Sequence, residues 1–294
     1  MKFSLIVPTL GRKGELIQLL DSICRNNYKN YEVIIVDQNQ NDLIDDVVSE
    51  YKCLMSIRHE KVDFRGAAQA RNHGVKFSTG EIINFPDDDS ELSIDTLEKV
   101  VNKFKNEDEI EIVFGRTVDK ETGKSSVVKF LEESTYVTER NLYFTSVECT
   151  MFILKEVFNK VGGFDSTLGV GSFYGSEEGA DFVLRALYEK RKITYDPKII
   201  FFHPEKVNTY NKQELDRAFS YGKGFGRLSC KHYYMFKKRY ALQRYIVWQV
   251  RAICGIFLFL LKRDWHKMKY YINVIKGRWV GYKMSKEDFI NKTR

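Results

Sequence analysis

The chain has 294 residues, 43% apolar and 14% aromatic, enough to bury the core of one large α/β domain or of a domain of about 200 residues with an appendage. This composition excludes global disorder. Five scattered cysteines without a CxxC pair argue against a disulfide scaffold or a structural zinc site, and for reduced thiols in a cytosolic compartment. The net charge of +7 is uneven: residues 201–294 carry 21 Lys and Arg against 6 Asp and Glu, a net of +15, and residues 1–200 carry 26 against 34, a net of −8. A basic tail on an acidic body calls for a polyanionic surface partner for the tail alone.

The opening MKFSLIVPTL meets Gly11, Arg12 and Lys13 without a small-residue cleavage site, so it reads as a first β-strand and not a signal peptide. Phe3–Val7 and Val33–Val36 are β-branched runs, with Leu16, Leu19, Leu20 and Ile23 at helical spacing between them. Glu81–Phe85 and Ile110–Phe114 are further strands, flanking a helical pattern over Ile94–Phe104. This alternation predicts βαβ units and a mostly parallel sheet, in which ligands bind beyond the carboxyl ends of the strands. Those ends carry Pro8-Thr9, Asp37-Gln38-Asn39 and Pro86-Asp87-Asp88-Asp89. Residues 115–150 are polar and poorly periodic, and are expected to form loops, strands and a short helix. The glycine-rich stretch 161–187 suits loops with unusual backbone angles, entering a helix near Asp181. Ile199–Phe202 reads as a last strand, and from about Asn211 the chain turns basic, aromatic and helical.

Several of these residues suggest chemistry. Asp87, Asp88 and Asp89 repel one another at the end of an apolar strand, and a hard divalent ion bridging carboxylate and phosphate oxygens would relieve that repulsion; a solvated acidic turn is the alternative. Asp37 is placed to accept from a ribose or a base edge, or simply to initiate a turn. Arg65 and Arg71 bracket the small residues Gly66, Ala67, Ala68 and Ala70, a pattern suited to phosphate binding or to close helix packing. Glu177, Glu178 and Asp181 stand where a loop enters a helix, as helix caps or as a general base for a hydroxyl. His203 follows the last strand, either as a structural residue or facing the cleft as a metal ligand or phosphate donor. Neither GxGxxG nor GxxxxGK[ST] occurs, so a dinucleotide fingerprint and a P-loop are unsupported.

In order and spacing, SLIVPTLGR, VIIVDQNQND, GAAQARNHGV, GEIINFPDDDS and GGFDSTLGVG with SEEGADFVLRA resemble family 2 glycosyltransferases with the GT-A fold, over about residues 1–205. The resemblance implies a Rossmann-like, mostly parallel sheet flanked by helices as a catalytic domain over 1–210, with 211–294 as a basic helical extension. It implies that Pro8, Thr9 and Arg12 border the nucleotide, that Asp37 meets the uracil or ribose, and that Arg65, Arg71, Asp87 and Asp88 complete the nucleotide-sugar site. Asp89, with Asp87 and His203, would hold Mn2+ or Mg2+. Family members usually show an adjacent Glu-Asp pair followed two residues later by an acid. Aligned on Asp181, Glu178 takes the first position and Gly179 stands where the second acid usually sits, so the base is assigned to Glu178, with Glu177 as the alternative. The implied activity is metal-dependent, inverting transfer from a nucleotide sugar, a UDP-sugar first, to a saccharide or polyprenyl-linked acceptor. A nucleotidyltransferase is disfavoured because PTLGRKGE is a poor phosphate loop, and the irregular acid motif leaves open a catalytically silent sugar-nucleotide-binding scaffold.

In the tail, Ile246–Leu261 is apolar but interrupted by Arg251, and its longest charge-free run is the ten residues Ala252–Leu261, where a membrane span needs about twenty. Flanking cations (Lys237, Lys238, Arg239, Arg244, Lys262, Arg263) and Trp248, Trp265 and Trp279 suit helices lying in an anionic membrane interface, on the cytoplasmic face. Packing on the catalytic core or an oligomer contact are the alternatives, and nucleic acid is disfavoured by the acidic body.

Overall fold

The computed structural model describes residues 1–107, 109–205 and 209–291. They form two compact units, the first made of Met1–Arg65, Gln69–Phe164 and the stretch from Gly179 through the last strand. β1 (Phe3–Thr9), α1 (Lys13–Arg25), β2 (Tyr31–Asp37), α2 (Asp45–Tyr51), β3 (Ile57–Lys61), α3 (Ala67–Val75) and β4 (Ile82–Asn84) alternate along the chain. β1 pairs in parallel with β2 and β4, and β2 with β3, so four strands share one direction. Parallel strands are covered on both faces, which is why all seven residues of β1 are buried and the strand reads as one apolar run. α1 buries Leu16, Leu19, Leu20 and Ile23, a stripe with the helical period.

The second half of the sheet is less regular. It comprises β5 (Glu91–Leu92), α4 (Thr96–Asn106), β6 (Ile112–Val118), β7 (Thr135–Tyr136), β8 (Met151–Leu154), α5 (Lys155–Val161), α6 (Glu178–Tyr188) and β9 (Ile193–Phe202). The nine strands run in the order β3-β2-β1-β4-β8-β6-β9-β5, with β7 on β9. β8 is antiparallel to both β4 and β6, and β5 and β7 are antiparallel to β9, so the sheet is mixed where a mostly parallel one was expected. MFIL at 151–154 leads straight into a helix, and four apolar residues carry no periodicity from which to assign a strand. Two reversals at β8 restore the direction, so β6 and its parallel partner β9 point the same way as β1, β2 and β4. Their carboxyl ends therefore open on one edge. β9 is ten residues long, beyond the predicted Ile199–Phe202, and its register on β6 shifts between Phe114 and Arg116. Gly115 makes that crossing possible, since a Cβ there would lie 2.3 Å from the Ile199 carbonyl oxygen.

The second unit holds the glycine-rich loop Asp165–Glu178 with helices α7 (Lys212–Tyr234), α8 (Arg239–Leu261) and α9 (Trp265–Asn291). α7 is capped by Asn211, whose Oδ1 accepts from the Glu214 amide at 3.0 Å while Glu214 bonds back to the Tyr210 amide. α7 and α9 touch through glycines four apart on each helix, Gly222 and Gly226 against Gly277 and Gly281. A Cβ at 226 would lie 2.2 Å from the Arg278 carbonyl oxygen, and one at 277 would lie 2.1 Å from that of Phe219. Small residues at this spacing let the two backbones meet. α8 packs one face inward, with Trp248 stacked on Phe225 at 4.8 Å and Gly255 against the Tyr271 ring. Its other face exposes Ile246, Val250, Ile253, Phe257 and Leu261. As one 23-residue helix, α8 is long and apolar enough by length and composition to cross a membrane, so the ten-residue run understates it.

At the opposite edge of the sheet Glu32, on β2, is a hub. Its Oε1 accepts from Ser4 Oγ and the Thr79 amide, each at 2.6 Å, and its Oε2 from Lys2 Nζ at 2.9 Å. Partial burial would raise this carboxyl, but the bonds outweigh it and bring the group from 4.5 down to about 2. A carboxyl lowered in the fold adds stability above its ordinary pKa, and that stability is lost as the pH falls toward 2. Glu32→Gln should lower the unfolding free energy by about 1–2 kcal/mol near neutral pH, allowing for solvent screening. In denaturant titrations the gap from the parent should narrow steadily below the ordinary carboxylate pKa, and a gap that does not change with pH would contradict the assignment.

Candidate active site

The strand ends gather the acids. Asp87, Asp89 and His203 each bring one ligand atom to within 4.8 Å of the others. His203 Nδ1 lies 2.9 Å from the Pro204 carbonyl, and because a carbonyl only accepts, this nitrogen donates. Nε2 is thereby left toward Asp89 Oδ1, 3.3 Å away, where it holds either a proton or a cation. Burial disfavours the charged imidazole, but Asp89 overcomes it and raises His203; burial would likewise raise Asp89, yet His203 and Arg12 hold it below the ordinary range. Carboxylate oxygens with one imidazole nitrogen fit a divalent ion such as Mn2+ or Mg2+. A second trio, Asp37, Asp45 and His59, lies at the carboxyl ends of β2 and β3, with His59 Nε2 3.0 Å from Asp37 Oδ2 and Lys61 Nζ 2.8 Å from Asp45 Oδ2.

Two arginines serve the three consecutive aspartates. The buried Arg71 donates from Nη2 to Asp87 Oδ1 at 2.8 Å. Arg12 Nη1 bridges Asp88 Oδ1 at 2.9 Å and Asp89 Oδ2 at 2.5 Å. Burial pushes Asp88 up to about 6 against the pull of Arg12. Pro8 and Thr9 are buried in β1, opposite Val36 and Asp37 of β2. Asp37 has no exposed surface: Oδ1 accepts from the Asn39 amide at 2.9 Å and from Asn39 Nδ2 at 2.7 Å, and Oδ2 faces His59 Nε2. Arg65 is exposed at the end of the loop before α3.

The glycine-rich loop presents the two glutamates differently. Glu178 is buried, and its carboxylate packs on Gly169, where a Cβ would come within 2.8 Å of the Glu178 Cδ. Gly169 also has φ +95, which a side chain rarely adopts. Glu177 is half-buried with φ 77, a left-handed conformation that is uncommon for a glutamate and that concentrates at functional loops. Asp181 is fully buried and accepts from Arg185 Nε at 2.8 Å, while Arg185 Nη1 and Nη2 donate to the Val161 and Gly163 carbonyls, each at 2.6 Å. That pair pins the turn after α5 to α6. One carboxylate outside the predicted set stands at the head of α6: Glu148 Oε1 accepts from the Gly179 amide at 3.0 Å. It lies in the aperiodic stretch 115–150, where no local pattern singles it out. Asp181→Ala should strand the Arg185 charge and destabilise the fold by about 3 kcal/mol, read as a lower denaturation midpoint. An unfolding free energy within about 1 kcal/mol of the parent's would contradict this structural role.

Residues 4–162 match the Glycosyl transferase family 2 signature, and the chain belongs to that family. It is 28% identical over 158 residues to the Staphylococcus aureus poly(ribitol-phosphate) beta-N-acetylglucosaminyltransferase TarP, a match covering 52% of this chain and 48% of that protein. A further curated relative, from Haemophilus influenzae, is matched over 65% of its own length. In fold, the chain is similar to S. aureus TarS 1-349 in complex with UDP-GlcNAc (TM-score 0.59, 16% identity, covering 99% of this chain and 92% of that one). It is also similar to the mannosyltransferase PcManGT from Pyrobaculum calidifontis in complex with GDP-Man and Mn2+ (TM-score 0.62, 18% identity, covering 95% and 87%). The fold is that of the GT-A glycosyltransferases.

Proposed function

We propose that the protein transfers a sugar from a nucleotide sugar, a UDP-sugar first, to a saccharide or lipid-linked saccharide of a surface polymer, with inversion and with a divalent ion. The observation that carries this reading is the convergence of Asp87, Asp89 and His203 at the strand ends of a family 2 chain. The nucleotide-sugar complexes of TarS and PcManGT, and the ribitol-phosphate polymer in the name of TarP, support the donor and acceptor classes. Asp87, Asp89 and His203 would hold the ion, which supplies positive charge against the departing diphosphate. Arg12 and Arg71, already at the acid cluster, supply fixed positive charge beside it, Arg12 to Asp88 and Asp89 and Arg71 to Asp87. Asp37 and Asn39 border the nucleoside. The acceptor's proton passes to a carboxylate at the head of α6, for which the sequence motif offers Glu178 and then Glu177, and the fold a third candidate, Glu148. Asp89→Asn should leave the fold intact and lower metal-dependent release of the nucleoside diphosphate by about 10²-fold or more. Activity within about threefold of the parent would refute the metal role.

The tail fits attachment to the cytoplasmic face of an anionic membrane. The exposed apolar face of α8 is bounded by Arg239 and Arg244 at one end and Lys262 and Arg263 at the other, and carries Trp265 just beyond. Apolar side chains between cations suit the headgroup boundary, where each cation near an anionic surface contributes about 1 kcal/mol before salt screening. The protein should sediment with phosphatidylglycerol vesicles, release with added salt, and ignore neutral vesicles. Replacing Lys237, Lys238, Arg239 and Arg244 by glutamine should release it while sparing donor hydrolysis in solution. Failure of the parent to bind anionic vesicles at low salt would refute membrane attachment.

A further inference from the structure

The family pattern to which this sequence is similar carries an acid directly after the position of Glu178, and here that residue is Gly179. The volume of the missing side chain is not empty. A Cβ at 179 would lie 2.1 Å from Glu148 Oε1 and 2.5 Å from both Cδ and Cγ of Glu148. The Glu148 side chain therefore fills the place that a side chain at 179 would take, and only a glycine there admits it. Glu148 arrives from the short turn Glu148–Thr150 that leads into β8, remote in sequence from α6.

Resting on the glycosyl-transfer reading above, we propose that Glu148 is the catalytic base, a carboxylate supplied from the turn before β8 in place of an acid at position 179. Three features support this. Its Oε1 accepts from the Gly179 amide at 3.0 Å, at the positive end of the eleven-residue helix α6, which favours the ionised form that a base needs. The turn that carries Glu148 is held to the end of β4, just before the acid run: Asn84 Nδ2 donates to the Cys149 carbonyl at 3.0 Å. The buried Cys149 thiol, raised first by burial, is raised further by the charges of Asp87, Glu148 and Asp89 against the pull of Arg71.

The chemistry balances. As the acceptor hydroxyl oxygen bonds to the anomeric carbon, its proton passes to the Glu148 carboxylate. The bond from that carbon to the diphosphate oxygen breaks, and its electron pair leaves with the nucleoside diphosphate.

A residue that merely caps α6 and a residue that accepts a proton differ in their response to amide replacement. Glu148→Gln retains an oxygen acceptor for the Gly179 amide but cannot take a proton. It should lower kcat by about 10²-fold or more with the donor Kd and the melting temperature unchanged, and flatten the acidic limb of the kcat–pH profile. Moving the carboxylate provides the second test: Glu148→Ala should be inactive, and the pair Glu148→Ala with Gly179→Asp should recover at least about tenfold of the loss. Glu148→Gln within about threefold of the parent, or a loss confined to Glu178→Gln or Glu177→Gln, overturns the assignment. An active parent with a silent Glu148→Gln refutes this base alone, whereas a parent that releases no nucleoside diphosphate from UDP-, GDP-, CMP- or dTDP-sugars with Mn2+ or Mg2+ refutes the glycosyl-transfer reading and the base with it.

Discussion

Three successive carboxylates just beyond a buried strand repel one another, and such a run, Asp87, Asp88 and Asp89, follows β4 after Phe85 and Pro86. The surrounding structure answers that repulsion residue by residue. Arg71, buried on α3, takes Asp87; Arg12, from the turn before α1, bridges Asp88 and Asp89; His203, after β9, faces Asp89. These residues come from three distant parts of the chain, and each arrives because a parallel strand or its following helix delivers it to the same edge. Without the sheet's shared direction the acids would have no counter-charges, and without the acids the arginines would be expensive to hold near the core.

Much of this is legible in the sequence because it follows a short-range rule. A strand buried on both faces writes itself as a β-branched run, so the residue pattern alone places Thr9, Asp37, Asp87–Asp89 and His203 at or just beyond strand ends. The direction of β8 is not legible, since antiparallel insertion between β4 and β6 depends on partners far away in sequence. Neither is the glycine contact between α7 and α9, where four small residues matter only once the two helices face each other. Glu148 escapes for the same reason. Its meaning lies in a space left by Gly179, thirty-one positions along the chain, and no local pattern records a space.

A carboxylate fixed by a helix amide depends on where its oxygen lies rather than on which backbone carries it, so Glu148 can place at the head of α6 a charge that Gly179 itself does not carry. Asp181 and Arg185, bound to the turn after α5, fix the first turns of that helix.

On the reading proposed above, Asp87, Asp89 and His203 form a divalent-cation site that serves a nucleoside diphosphate. Titrating Mn2+ against the protein by electron paramagnetic resonance, with and without UDP, tests it directly. Loss of the free Mn2+ signal on adding protein, tightened by UDP and abolished in His203→Ala with the melting temperature unchanged, is the result expected. A free-ion signal unaffected by the parent protein, with UDP present at saturation, would contradict it.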